Sequence, residues 1–146
     1  TRLEKHYLAV VHGKGPRRKQ HVDAPLVKNT LKSGERVSSV SSEGKSALTR
    51  ISVLEQSADY SLLAMQPVTG RTHQLRVHCQ HTGYPIVGDE KYGYEEQDAQ
   101  LKRLGVRRLM LHASRLVIPA TEPGEKTIRV EAPAGNNFQK MTEMIK

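Results

Sequence analysis

Between His6 and Val68 the sequence is a succession of short apolar or alternating runs cut by turn residues; then, from Arg71 to Thr82, twelve residues pass with no Gly or Pro. A chain punctuated in this way folds strand after strand before it folds helix. His6 to Val11 (HYLAVV) is apolar and β-branched and reads as a buried strand. Val22 to Lys28 reads as a short edge strand, because Pro25 cannot donate to a ladder. Ser33-Gly34 is a turn before Glu35 to Val40, and Ser41 to Lys45 (SSEGK) is another. Leu48 to Leu54 (LTRISVL) alternates, offering Leu48, Ile51 or Val53 to a core. Asp59 separates it from Ser61 to Val68, and the two pair as a hairpin. The breaker-free run is a helix, started by Thr69 or Thr72 as cap and closed by Gly83 with Pro85 beyond. Glu95 to Leu104 is a short helix ending at Gly105. Arg108 to Ile118 and Thr127 to Glu131 are strands, and Asn136 caps a last helix with Phe138, Met141 and Ile145 at helical spacing. Consecutive strands outnumber helices, so the class is α+β, with a mainly antiparallel mixed sheet and a few flanking helices, in one domain-sized unit.

Charge narrows the partners. Lys and Arg number 23 against 15 Asp and Glu, a net charge of +8. That excess favours a polyanion. The positive charge is also segregated. His12 to His21 (HGKGPRRKQH) is a loop that holds Lys14, Arg17, Arg18 and Lys19 and no acid. A second basic cluster, Lys102-Arg103 and Arg107-Arg108, flanks Gly105, while acids gather from Asp89 to Asp98. Only Phe138 and five Tyr supply phenyl or phenol rings, too few for a broad base-stacking platform. A single cysteine, Cys79, rules out an internal disulfide framework and suits a reducing compartment. No apolar run reaches the roughly 18 residues of a membrane span.

The densest chemistry lies in GRTHQLRVHCQH, with Arg71, Thr72, His73, Gln74, Arg76 and His78 as donors. An Arg near a helix N-terminus can hold an anion. Arg76, one turn further in, can pair with a carboxylate from elsewhere in the chain. A solvated basic helix face is an equal reading of the same spacing. His73, His78, His81 and Cys79 invite zinc, but HEXXH spacing is absent and no fourth ligand is evident, so no metal is expected. No GxSxG elbow appears, and Cys79 on an apolar face reads as packing. Gly83 to Gly93 (GYPIVGDEKYG) must turn tightly. Its Asp89 either caps or pairs with a basic residue.

Gly70 to Gly93 resembles the third conserved motif of the RluA-type pseudouridine synthases. Glu4 to Gly13 (EKHYLAVVHG) resembles their Lys-x-Tyr-x-Ala-x-Val-x-Gly strand. Leu109 to Leu116 (LMLHASRL) resembles their later Leu-x-Leu-His-Ala strand, and Glu131-Ala132-Pro133 their terminal Ala-Pro. Ala24 to Lys45 looks most like a branch of the family that acts on the large ribosomal subunit. The resemblance implies isomerisation of uridine to pseudouridine in large-subunit (23S) ribosomal RNA, in the cytoplasm, with a flipped base and neither metal nor organic cofactor. By motif position Tyr7 matches the family's tyrosine and Arg76 its basic residue, both catalytic. Leu109 and Leu111 match the apolar floor under the base, with His73 beside them in the substrate pocket. Lys14, Arg17, Arg18, Lys19 and Arg71 are the expected RNA contacts. The family's aspartate lies in a His-Arg-Leu-Asp-x-x-Thr-Ser-Gly motif upstream of the tyrosine strand. Nothing like it occurs here, and Asp23, Asp59, Asp89 and Asp98 all sit in other contexts. Residues 1–146 are therefore expected to be the C-terminal portion of a catalytic domain, inactive alone, with the carboxylate partner of Arg76 outside the chain. The alternative is an RNA-binding fragment or degenerate paralogue without catalysis.

Overall fold

A computed structural model describes residues 3–15 and 19–145. Six strands form an antiparallel sheet: β1 (Glu4–His12), β2 (Gln20–Asp23), β5 (Leu48–Gln56), β6 (Tyr60–Pro67), β7 (Leu111–Ile118) and β8 (Ile128–Glu131), in the order β2-β5-β6-β1-β7-β8. β3 (Leu26–Thr30) and β4 (Arg36–Val40) make a separate hairpin. Three helices accompany them: α1 (Gln74–His81), α2 (Glu95–Arg103) and α3 (Asn136–Ile145). This is the α+β, mainly antiparallel arrangement that the consecutive strand signals require.

β1 is central because its run of small and β-branched residues can be buried on both sides. Ala9, Val10 and Val11 are completely covered. Register then assigns the faces. Tyr7 stands opposite Met65, Ala9 opposite Leu63, and Ile51 opposite Met65, so these side chains share one face. Helix α1 covers that face with Leu75 and Cys79, whose Sγ lies 3.7 Å from Met65 Sδ. Leu8 and Val10 point the other way, toward α3. There Phe138, Met141 and Ile145 are buried, and the Phe138 ring lies 6.1 Å from that of His112, the residue paired with Leu8.

Local geometry moves several boundaries. Helix α1 starts at Gln74, not Arg71, because His73 is left-handed (φ 52°) and no side chain caps it. Thr69 instead donates to Gln74 Oε1 at 2.6 Å, and Gly83 (φ 91°) ends the helix as expected. The run from Val22 to Lys28 is not one strand: β2 ends at Asp23, and Ala24-Pro25 carries the chain across to the hairpin. β7 begins only at Leu111. The Met110 backbone is already used, its N–H by Val87 O at 2.9 Å and its O by Val10 N at 3.0 Å. Asn136 is the first residue of α3 rather than its cap.

Candidate active site

α1, the loop that follows it and the segment before β7 converge on the Tyr7 face of the sheet. Tyr7, Arg71, His73, Arg76, Leu109 and Leu111 line one cleft of about 390 Å³. Each arrives by a different route. Tyr7 is placed by the β1 register. Leu111 opens β7 opposite Ala9. Leu109 is held by Gly88, whose positive φ (80°) lets its backbone lie against Arg108; a Cβ there would run into the Arg108 carbonyl. Arg71 donates from Nε to Ser46 O at 2.9 Å.

Arg76 is the best-held of the group. The carboxylate from elsewhere in the chain that its position allows is Asp89, which stands apart from the upstream aspartate that the family resemblance implies. Nε and Nη2 donate to Asp89 Oδ2 and Oδ1 at 2.9 and 2.8 Å. The Asp89 side chain is wholly buried and its Oδ1 also accepts the N–H groups of Lys91 (3.1 Å) and Tyr92 (3.0 Å). The guanidinium carbon lies 5.1 Å from the centre of the Tyr92 ring. The hydrogen bond to Asp89 raises the Arg76 pKa further, so the cation is permanent. This grip uses one edge of the fork and leaves Nη1 without a hydrogen bond to a described residue.

Tyr92 joins this pair to His73. Its hydroxyl accepts the Ser38 N–H at 2.9 Å and lies 2.8 Å from His73 Nδ1. With the hydroxyl donating to Nδ1, a neutral His73 carries its proton on Nε2, which has no partner among the described residues. Burial first, then the charges of Arg76 and Lys91, lower the His73 pKa and keep the ring neutral. Behind them lies a second buried network. His78 is fully buried, with Nδ1 2.7 Å from Thr49 Oγ1 and Nε2 donating to Ala24 O at 2.9 Å. Gln74 donates to Thr49 Oγ1 at 3.0 Å and to Leu48 O at 2.9 Å. Both His78 nitrogens are thus committed to the fold. Cys79 is buried and its thiol pKa is pushed far up by burial, which fits packing rather than reactivity.

The expected RNA-binding residues do not all meet here. Arg71 lines the cleft. Lys14 is exposed just past β1, and Lys19 lines a different cleft of about 780 Å³ with His21, Arg50 and Arg115. Arg17 and Arg18 lie outside the described residues. Among the described residues no carboxylate lines the cleft that Tyr7 shares with Arg76; Tyr7 also borders the larger cleft, where Glu131 is a lining residue. Sequence reasoning allowed Asp89 a basic partner and Arg76 a carboxylate but did not join the two, and it missed Tyr92 and Ser38 entirely. The one local signal was the Asp89-x-x-Tyr92 spacing inside a glycine-rich loop.

The model of the family described as RNA pseudouridylate synthase matches residues 1–81. Ribosomal large subunit pseudouridine synthase C of Yersinia pestis is 47% identical over 137 residues, 94% of this chain and 42% of that protein. The protein of the same name from Escherichia coli K12 is 44% identical over 147 residues, 99% of this chain and 46% of its own. The chain therefore spans somewhat less than half the length of the curated relatives it matches. Among solved structures, human RNA pseudouridylate synthase domain containing 1 superposes with a TM-score of 0.73 at 32% identity, over 91% of this chain and 55% of that one. Human RNA pseudouridylate synthase domain containing 4 gives 0.74 at 26% identity, over 98% and 62%. With the family model matched over more than half its length and relatives of the same kind aligned over nearly all of it, the chain belongs to the RNA pseudouridylate synthase family.

Proposed function

We propose that the protein containing this chain isomerises uridine to pseudouridine in large-subunit ribosomal RNA, in the cytoplasm. The observation that carries the reading is the meeting of Tyr7, His73, Arg76, Leu109 and Leu111 in one cleft. The uracil ring lies on the floor of Leu109 and Leu111 with the Tyr7 ring against it. His73 Nε2–H offers a neutral donor to a uracil carbonyl. The reaction breaks the N1–C1′ bond, turns the base, forms C5–C1′, and moves the C5 proton away while N1 gains one. Tyr7 is the group suited to receive the C5 proton. Arg76, fixed by Asp89, presents its Nη1 edge to the catalytic aspartate and favours the ionised form of that carboxylate. The aspartate is supplied from outside residues 1–146. Neither metal nor organic cofactor is called for.

In the full-length protein, Arg76→Ala should slow tritium release from C5-labelled uridine RNA by at least about 100-fold, the scale of losing a preorganised charge partner, while RNA binding persists. Unchanged turnover would sink the assignment. RNA binding without catalysis is the second reading, favoured by the absence of a cleft carboxylate among the described residues. It holds for residues 1–146 by themselves, which should bind RNA and release no tritium.

A further inference from the structure

Beyond Gly70 and Arg71 the surface opens into a second cleft, of about 450 Å³, that shares those two residues with the first. Its far wall is the β3–β4 hairpin with the turn that follows, and it carries Lys28, Glu43 and Lys45. Register explains why the cations face inward. Lys28 stands directly opposite Ser38, so their side chains share a face. Ser38 Oγ donates to Thr72 O at 2.8 Å, which turns that face toward the start of α1. Lys45 is bridged to Leu26 by two backbone hydrogen bonds of 2.9 Å each. Gly44 lies so close to Leu26 that a Cβ would collide with its backbone. Arg71, bonded to Ser46 O, is anchored one residue from Lys45.

Among the described residues three cations and one carboxylate thus line the cleft, an excess of two positive charges. Neither Lys28 nor Lys45 makes an ion pair with Glu43 or with any other described residue. The wall is also fixed in place. Ser38 N–H donates to the Tyr92 hydroxyl, and Lys91 Nζ holds Arg36 O at 3.1 Å and Glu35 at 2.9 Å. Among the described residues no aromatic ring lines the cleft, so they give a base nothing to stack on there. Unpaired cations on a rigid polar wall suit a phosphodiester, the group that fixes register on a nucleic acid.

We infer that this second cleft is a phosphate subsite in which Lys28, Lys45 and Arg71 hold the backbone of a nucleotide flanking the uridine bound in the first. The inference rests on the uridine reading and adds to it which side chains set the position of the strand. The test uses the 146-residue chain and a fluorescein-labelled single-stranded RNA nonamer with one central uridine, followed by anisotropy across a salt series. Lys28→Ala/Lys45→Ala should raise Kd about tenfold and make the dependence of log Kd on log salt shallower by about 1.4, the value for two single-strand phosphate contacts. Lys102→Ala/Arg103→Ala on α2, which lines neither cleft, should move Kd less than about twofold. Uncharged methylphosphonate linkages on both sides of the uridine should weaken the wild-type chain more than the Lys28/Lys45 variant, which keeps only Arg71; an equal loss in both overturns the subsite. Both lysines are exposed, so circular dichroism of the variant should match the wild type. Wild-type binding with an unchanged Kd and slope in the variant overturns the subsite alone. No binding of the RNA by the wild-type chain overturns the subsite and the uridine reading together.

Discussion

Arg76 meets Asp89 edge to edge and Tyr92 face on, so one side chain carries both an ion pair and a ring contact. The two partners of the pair are not equally exposed: 18% of the Arg76 side chain is accessible and none of Asp89. Removing the arginine leaves a carboxylate that still accepts two backbone N–H groups. Neutralising the aspartate leaves a cation whose only remaining compensation is the Tyr92 ring and water at the cleft. Breaking a buried pair from one side costs about 3–5 kcal/mol. Partial exposure of Arg76 places Asp89→Asn near the lower end, about 3 kcal/mol, with Arg76→Ala costing less. Urea unfolding of the two single variants and the double gives the coupling energy of the cycle. A loss below about 1 kcal/mol for Asp89→Asn would show that the pair does not hold the loop to α1.

At the scale of elements, α1 is held by its buried polar side as much as by its apolar one. Burial lowers the pKa of His78, and burial with nearby cations lowers that of His73. A histidine whose folded pKa lies below its unfolded value binds fewer protons when folded. Stability therefore rises with pH between the lowered values and about 6.5, and is lost as pH falls through that window. The geometry agrees: neutral His78 accepts the Thr49 hydroxyl proton at Nδ1, whereas imidazolium would set donor against donor. The urea midpoint should fall as pH drops from about 7.5 to 5.5, with each group contributing at most about 1.4 kcal/mol per pH unit. His78→Gln, which cannot take up a proton, should flatten that slope; an equal slope in the variant would move the effect elsewhere. The strands that position this helix were legible in the sequence, because alternation and turn residues are local signals. The β5–β6 hairpin and the central β1 follow from them. The helix start was not legible, since the left-handed His73 is fixed by its bond to Tyr92, nineteen residues away. Nor was the link from Ser38 to Tyr92, which spans fifty-four. Motif position singled out Tyr7 and Arg76, which line one cleft, but the pairing of Arg76 with Asp89 is a tertiary fact that no spacing rule contains.

At the scale of the whole molecule, the six-stranded sheet ends in two edge strands, β2 and β8, and they differ in what they offer a partner. β2 is short and polar at its ends, with His21 and Asp23 exposed and Val22 buried. β8 is exposed along its full length. Its Ile128 and Val130, 54% and 51% accessible, stand opposite Ile118 and Leu116 and so form an apolar strip on one face of the sheet edge. An unpaired strand with open N–H and C=O groups beside such a strip is a template for another β8. Net charge of +8 opposes association at long range, and salt of about 0.15 M screens it beyond roughly 8 Å. The residues that would meet across β8 are closer than that. The 146-residue chain should therefore self-associate as concentration rises, and more strongly with added salt. Ile128→Lys/Val130→Lys places two like charges on the strip, which opposes edge pairing at little cost to the fold because both side chains are already exposed. Sedimentation velocity at about 0.1 and 0.5 M salt separates the cases. A wild-type chain that stays monomeric at both, or a double-lysine variant that associates equally well, would remove β8 as the source.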